Sequence, residues 1–198
     1  MHGKEPIQRS PGTEESITAW LQAWTSGDTE AGEHLFALVY PELKKLARRF
    51  LARERVGVPL GTTELVHETF LRLVAQRQDH WQNRDQFFAL AATLARRVLV
   101  DQAKHDRRRK RGGGVVHVTF EEGLLPGAPP NVDLLALDDA LAELARIRWT
   151  TARIVELRFF AGLDLVATAR ILGVSRATVL RQWRFAKAWL ARKLGGAR

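Results

Sequence analysis

The run Asp164-Leu-Val-Ala-Thr-Ala-Arg-Ile-Leu-Gly-Val-Ser-Arg-Ala-Thr-Val-Leu-Arg-Gln-Trp183 reads as a helix, a tight glycine turn and a second helix. Ala169 is small enough for two helices to cross there, and Gly173 can take the left-handed backbone that turns the chain between them. Ser175 is placed to cap the second helix, after which Val179, Trp183, Ala186 and Leu190 recur at intervals of four, three and four. That stripe turns inward and leaves Arg176, Arg181 and Arg184 outward. Arginine forks well onto guanine edges, so the spacing predicts a helix-turn-helix with a DNA-reading outer face. A plain helical hairpin with a solvated basic face would share this pattern. The distribution of charge along the chain separates the two.

The 198 residues carry 31 Lys and Arg against 22 Asp and Glu, a formal net charge of +9 that favours a polyanionic partner. From Arg96 to Arg111 eight basic residues stand against Asp101 and Asp106, and from Arg176 to Lys193 six stand against no acid. Between these blocks, from Gly112 to Ala145, there are six acids and neither Lys nor Arg. A solubilising surface would mix the signs. Two separated positive blocks instead point to two contact sites on one extended polyanion.

A hydrophobic share of 45% supports packed cores, for one domain or two small ones. Residues 1–13 read as a flexible tail, and helical patterning starts near Glu14. Ile17, Trp20, Leu21 and Trp24 share a face; Leu35, Leu38, Val39, Leu43, Leu46 and Phe50 continue with helical spacing after Gly27 and Asp28, with a kink or break expected at Pro41. Thr62 or Thr63 is the expected cap of a helix that turns Val66, Phe70, Leu73 and Val74 to a core. Asn83 and Gln86 form the pattern of a capping box before a long helix with Phe87, Ala91, Leu94 and Val98 buried. Its basic end closes a first unit at about 111, and three glycines followed by three prolines make 112–133 a flexible linker. The second unit, 134–195, starts with the stripe Leu134, Leu137, Leu141 and Leu144, continues with a helix from Ala152 to Phe160 closed by Gly162, and ends in the helix-turn-helix. No convincing period-two alternation is present, so the fold is predicted to be all-α: two small helical domains on a linker, the C-terminal one a four-helix unit.

Sites for chemistry fail on inspection. His67-Glu68 would need a second histidine at 71, where Leu71 stands, and the six histidines (His2, His34, His67, His80, His105, His117) show no ligand spacing. Gly112 to Gly114 lacks the strand before it and the Gly-Lys-Ser/Thr after it that a phosphate cradle requires. The chain has no cysteine, which removes disulfides, thiolate metal sites and thiol nucleophiles together. No catalytic constellation, metal or cofactor is therefore expected. No apolar run approaches the roughly 18 residues that span a bilayer, and the N-terminus carries no secretion pattern, so a cytoplasmic chain without a membrane partner is expected.

Three passages, in this order and spacing, carry a resemblance: Glu64-Leu-Val-His-Glu-Thr-Phe-Leu-Arg-Leu73, Phe87-Phe-Ala-Leu-Ala-Ala-Thr-Leu-Ala-Arg-Arg-Val-Leu-Val-Asp101, and Val155-Glu-Leu-Arg-Phe-Phe-Ala-Gly-Leu163 running into the helix-turn-helix. From about residue 15 to 194 the chain resembles a bacterial RNA polymerase sigma factor of the extracytoplasmic-function type. The resemblance implies a non-enzymatic protein whose partners are core RNA polymerase, through the β′ clamp and the β flap, and promoter DNA. Glu64, His67, Glu68 and Arg72 would dock on the clamp helices. Trp81, Phe87 and Phe88 would be platforms for unstacked bases of the minus-ten element, with Arg96, Arg97, Lys104, Arg107 and Arg108 on backbone phosphates. Arg176, Thr178, Arg181 and Arg184 would contact the minus-thirty-five element in the major groove.

Two departures bear on promoter affinity: Leu180 stands where the family often has Lys or Arg, and Trp149-Thr150 replaces a proline-containing approach to the next helix. Sigma factors of this type often have an inhibitor, an anti-sigma factor, although no residue here identifies one. The linker would let the free protein adopt a compact form in which the units cover each other and DNA affinity is low. The alternative is a stand-alone helix-turn-helix regulator, which leaves the basic block at Arg96 to Arg111 without a role. A recombinase-like enzyme lacks its constellation, since Tyr40 is the only tyrosine.

Overall fold

A buried stripe accounts for each helix of the N-terminal unit, and a capped start for α2, α3 and α4, in the computed structural model, which describes residues 14–52, 54–55, 60–76, 83–109, 117–119 and 131–195. Helix α1 (Glu14–Thr25) buries Ile17, Trp20, Leu21 and Trp24. Its hydrogen-bond ladder ends where Thr25 and Ser26 turn their hydroxyls back onto the carbonyls of Leu21 and Gln22. Gly27 then takes φ +98°, and Asp28 Oδ1 accepts the amides of Glu30 and Ala31 at 3.1 and 3.2 Å to open α2 (Thr29–Ala52).

Helix α2 does not break at Pro41. Pro41 and Ala37, whose carbonyl the proline leaves without a partner, both lie on the exposed face, where water can take that bond. Helix α3 (Thr62–Ala75) is capped at Gly61 rather than by Thr62 or Thr63, with the Gly61 amide donating to Glu64 Oε2 at 2.7 Å. Helix α4 (Arg84–Arg109) starts where Asn83 Oδ1 accepts the Gln86 amide at 3.0 Å, and Phe87, Ala91, Leu94 and Val98 are buried along it.

The segment expected to be a flexible linker, in which Val115 to Phe120 could order against a partner, contributes two short strands. Strands β1 (Glu54–Arg55), β2 (His117–Thr119) and β3 (Asn131–Asp133) form an antiparallel sheet in that order, with Glu54 opposite Val118 and Val118 opposite Val132. Two or three residues are too few to display an alternating pattern, and the pairing joins positions far apart in sequence.

Asp133 ends β3 and caps α5 (Leu134–Ile147), accepting the Leu135 amide at 3.0 Å. The helix expected from Ala152 starts earlier, as α6 (Trp149–Val155), and passes into a π-helical turn (Glu156–Phe160). There the Ala161 amide donates to the Glu156 carbonyl at 3.1 Å, one residue longer than an α-helical bond, before Gly162 at φ +71° closes the element. Helices α7 (Leu165–Leu172) and α8 (Arg176–Gly195) complete the chain.

The units are packed together. Helix α4 lies against α5, the π turn and α7, so that one hydrophobic cluster runs from Ile17 to Leu194, with Phe50 stacked on Phe160 at 5.6 Å. Among the described residues no helix is long and apolar enough to cross a membrane.

Candidate nucleic-acid interface

The helix-turn-helix is built by three local devices. Asp164 Oδ1 accepts the Ala167 amide at 2.7 Å to start α7, and Gly173 takes φ +64°, ψ +30° to end it. Ser175 Oγ accepts the Thr178 amide at 3.1 Å to start α8. Val179, Trp183, Ala186 and Leu190 are buried, which turns Arg176, Arg181 and Arg184 to solvent. Among the described residues none of these three arginines is in an ion pair. Thr178 is only half-exposed, and its hydroxyl lies 3.0 Å from Ser175 Oγ, inside the cap. Further along, Phe185 carries Arg148 over its ring at 4.6 Å.

The basic face of α4 is arranged differently. Arg96 is 8% exposed, bonded through Nη1 to Asp138 of α5 and through Nη2 to Glu156 of the π turn at 2.9 Å, with the Phe160 ring 5.5 Å away. Arg153 reaches the same Glu156 at 2.5 Å and donates to Thr93 of α4 at 3.1 Å. Lys104 approaches Asp138 at 3.9 Å, Arg107 bonds Asp133 at 3.0 Å, and Arg170 of α7 meets Asp85 at 3.3 Å. A cleft of about 390 Å³, lined among others by Arg97, Trp149 and Arg153, opens beside this network and keeps it within reach of water. Arg97 is exposed, and Arg108 donates to the Lys104 carbonyl at 3.2 Å.

Phe87 and Phe88, expected as base platforms, are 1% and 8% exposed and pack edge to face at 5.2 Å. Trp81 lies outside the described residues. On α3, Glu64, His67 and Glu68 are exposed in a row with Leu71, which is 61% exposed; Arg72 bonds Asp101 of α4 at 2.9 Å. The docking face expected from sequence is thus a continuous surface, but Glu64 is also the α3 capping partner.

Sequence reasoning missed the groups that hold the units together: Asp133, Asp138, Arg153 and Glu156. The acid-only stretch before Ala145 was a signal for the first two, since an acidic segment directly after a basic helix can neutralise it. Nothing local marks Glu156 or the π turn.

The sequence has known relatives. The ECF RNA polymerase sigma factor BldN of Streptomyces coelicolor is 30% identical over 158 residues, covering 76% of this chain and 57% of that protein, so the chain spans little more than half of this relative's length. Residues 14–196 match the family described as ECF sigma factor, and the chain belongs to that family.

Proposed function

We propose that this chain binds core RNA polymerase, directs it to specific promoters and assists their opening, with the chemistry left to the polymerase. The observation that carries this reading is the arginine face of α8, exposed behind an intact left-handed turn in a chain of the ECF family. Arg176, Arg181 and Arg184 enter the major groove of the upstream promoter element. Arg97, Lys104, Arg107 and Arg108 take phosphates of the downstream element, contributing affinity without sequence information. Phe87, Phe88 and Arg96 act from inside, holding α4 in place. Glu64, His67, Glu68 and Arg72 dock on the β′ clamp, and the C-terminal unit meets the β flap.

In the free chain Asp133, Asp138 and Glu156 occupy cations of α4, so DNA affinity is low until the polymerase separates the units. The deciding experiment is transcription in vitro with core polymerase on a genomic promoter library. Specific initiation that needs both the chain and core enzyme is expected. Tight binding of the chain alone to a palindromic site at physiological salt, without polymerase dependence, would replace this reading by that of a stand-alone regulator.

A further inference from the structure

The outer face of α8 holds one large apolar side chain in its first turns. Leu180 is 38% exposed, with Arg176 one helical turn before it, Arg184 one turn after it, and Ala177 and Arg181 alongside, all exposed. The core side of these turns is already filled by Val179 and Trp183. An exposed leucine is ordinary on a protein surface. This one sits at the centre of an arginine face, on the turns of a helix-turn-helix that reach base edges. The major groove presents a single apolar feature, the C5 methyl of thymine. Thr178, the nearby polar candidate for the same edge, keeps its hydroxyl 3.0 Å from Ser175 Oγ within the helix cap.

We propose that Leu180 reads a thymine methyl in the upstream promoter element, so that this position selects thymine by apolar contact while the flanking guanidiniums hold the helix in the groove. The proposal rests on α8 being the upstream reader. It adds one thymine-specific position to a site whose other candidate contacts are polar or charged.

The test uses holoenzyme assembled from core polymerase and the full chain. After a promoter selection, each thymine of the chosen upstream element is replaced in turn by deoxyuridine, which removes only the methyl. One position is expected to lose about fourfold in promoter affinity, the scale of burying one methyl group. In Leu180→Ala that penalty should vanish while preferences elsewhere persist, and in Leu180→Met it should remain. Alanine is the best helix former, so Leu180→Ala retains α8, and a thermal melt verifies this. Two outcomes overturn the proposal: no deoxyuridine-sensitive position, or a penalty undiminished in Leu180→Ala. If instead Arg181→Ala and Arg184→Ala leave promoter use unchanged, α8 is not the upstream reader and the parent reading fails.

Discussion

Helices α4 and α8 carry the same sequence signature, a block of positive charge on an amphipathic helix, but carboxylates match three cations of the α4 block, whereas on α8 the pairing is confined to Lys193 near its C-terminal end, which meets Glu143 at 2.7 Å. On α8, Arg176, Arg181 and Arg184 face solvent with no ion-pair partner among the described residues. On α4, Arg96, Lys104 and Arg107 are each matched to a carboxylate of the segment from Asp133 to Glu156. Charge count alone therefore does not identify a DNA-binding face. What matters is whether the rest of the chain supplies the counter-charge, and here the segment from Asp133 to Glu156 supplies it to Arg96, Lys104 and Arg107 and not to Arg176, Arg181 and Arg184.

The largest expected effect breaks this contrast at its most buried point. Arg96 has a side chain 10% exposed between two carboxylates, and Arg96→Ala removes the cation they share, leaving Glu156 to Arg153 and Asp138 to the more distant Lys104, an expected loss of about 3 kcal/mol in urea unfolding. The same truncation at exposed Arg181 should stay within about 0.5 kcal/mol. Equal costs at the two positions would remove the Arg96–Asp138–Glu156 network as a tie between the units. Function should invert the order. Arg181→Ala and Arg184→Ala are each expected to weaken use of the preferred promoter by about 1–3 kcal/mol without changing polymerase association, whereas equal loss on all sequences would make them phosphate contacts.

Next in size is the docking face of α3. Glu68→Lys should weaken association with core polymerase by about tenfold, near 1.4 kcal/mol, with the thermal melt unchanged. Glu64→Lys should lose association and, in addition, about 1 kcal/mol of stability, because Glu64 Oε2 holds the Gly61 amide. Unchanged association in Glu68→Lys would take that face out of the proposal. The smallest effect concerns Lys104, which is half-exposed and 3.9 Å from Asp138. Lys104→Ala should lower the salt dependence of promoter binding by about one counterion in the holoenzyme and leave the free chain unaffected.

The helix-turn-helix was legible because its determinants are local: a residue that accepts a left-handed backbone at 173, a capping hydroxyl at 175, and apolar residues at helical intervals after it. The stripes of α1, α4 and α5 were legible for the same reason. No break occurs at Pro41 because its cost depends on which face it occupies, a property of packing rather than of the residue. The sheet and the ion-pair network around Arg96 were not legible, since they join Glu54 to Val118 and Arg96 to Asp138 and Glu156 across long stretches of chain. Burial agrees with the stripe that placed Phe87 in the core, and Phe88 is buried beside it. Phe87 and Phe88 have the chemistry of base platforms, but their positions on α4 point into the core.

The central claim is that the free chain is closed over α4 and opens on polymerase. The absence of cysteine makes this directly measurable, because Ala75→Cys on α3 and Ala188→Cys on α8, both at exposed positions, create the only two thiols for spin or dye labels. We expect one narrow distance distribution in the free chain and a longer one when core polymerase is bound. The same distance in both states, or a free chain already spread over many distances, would contradict the claim.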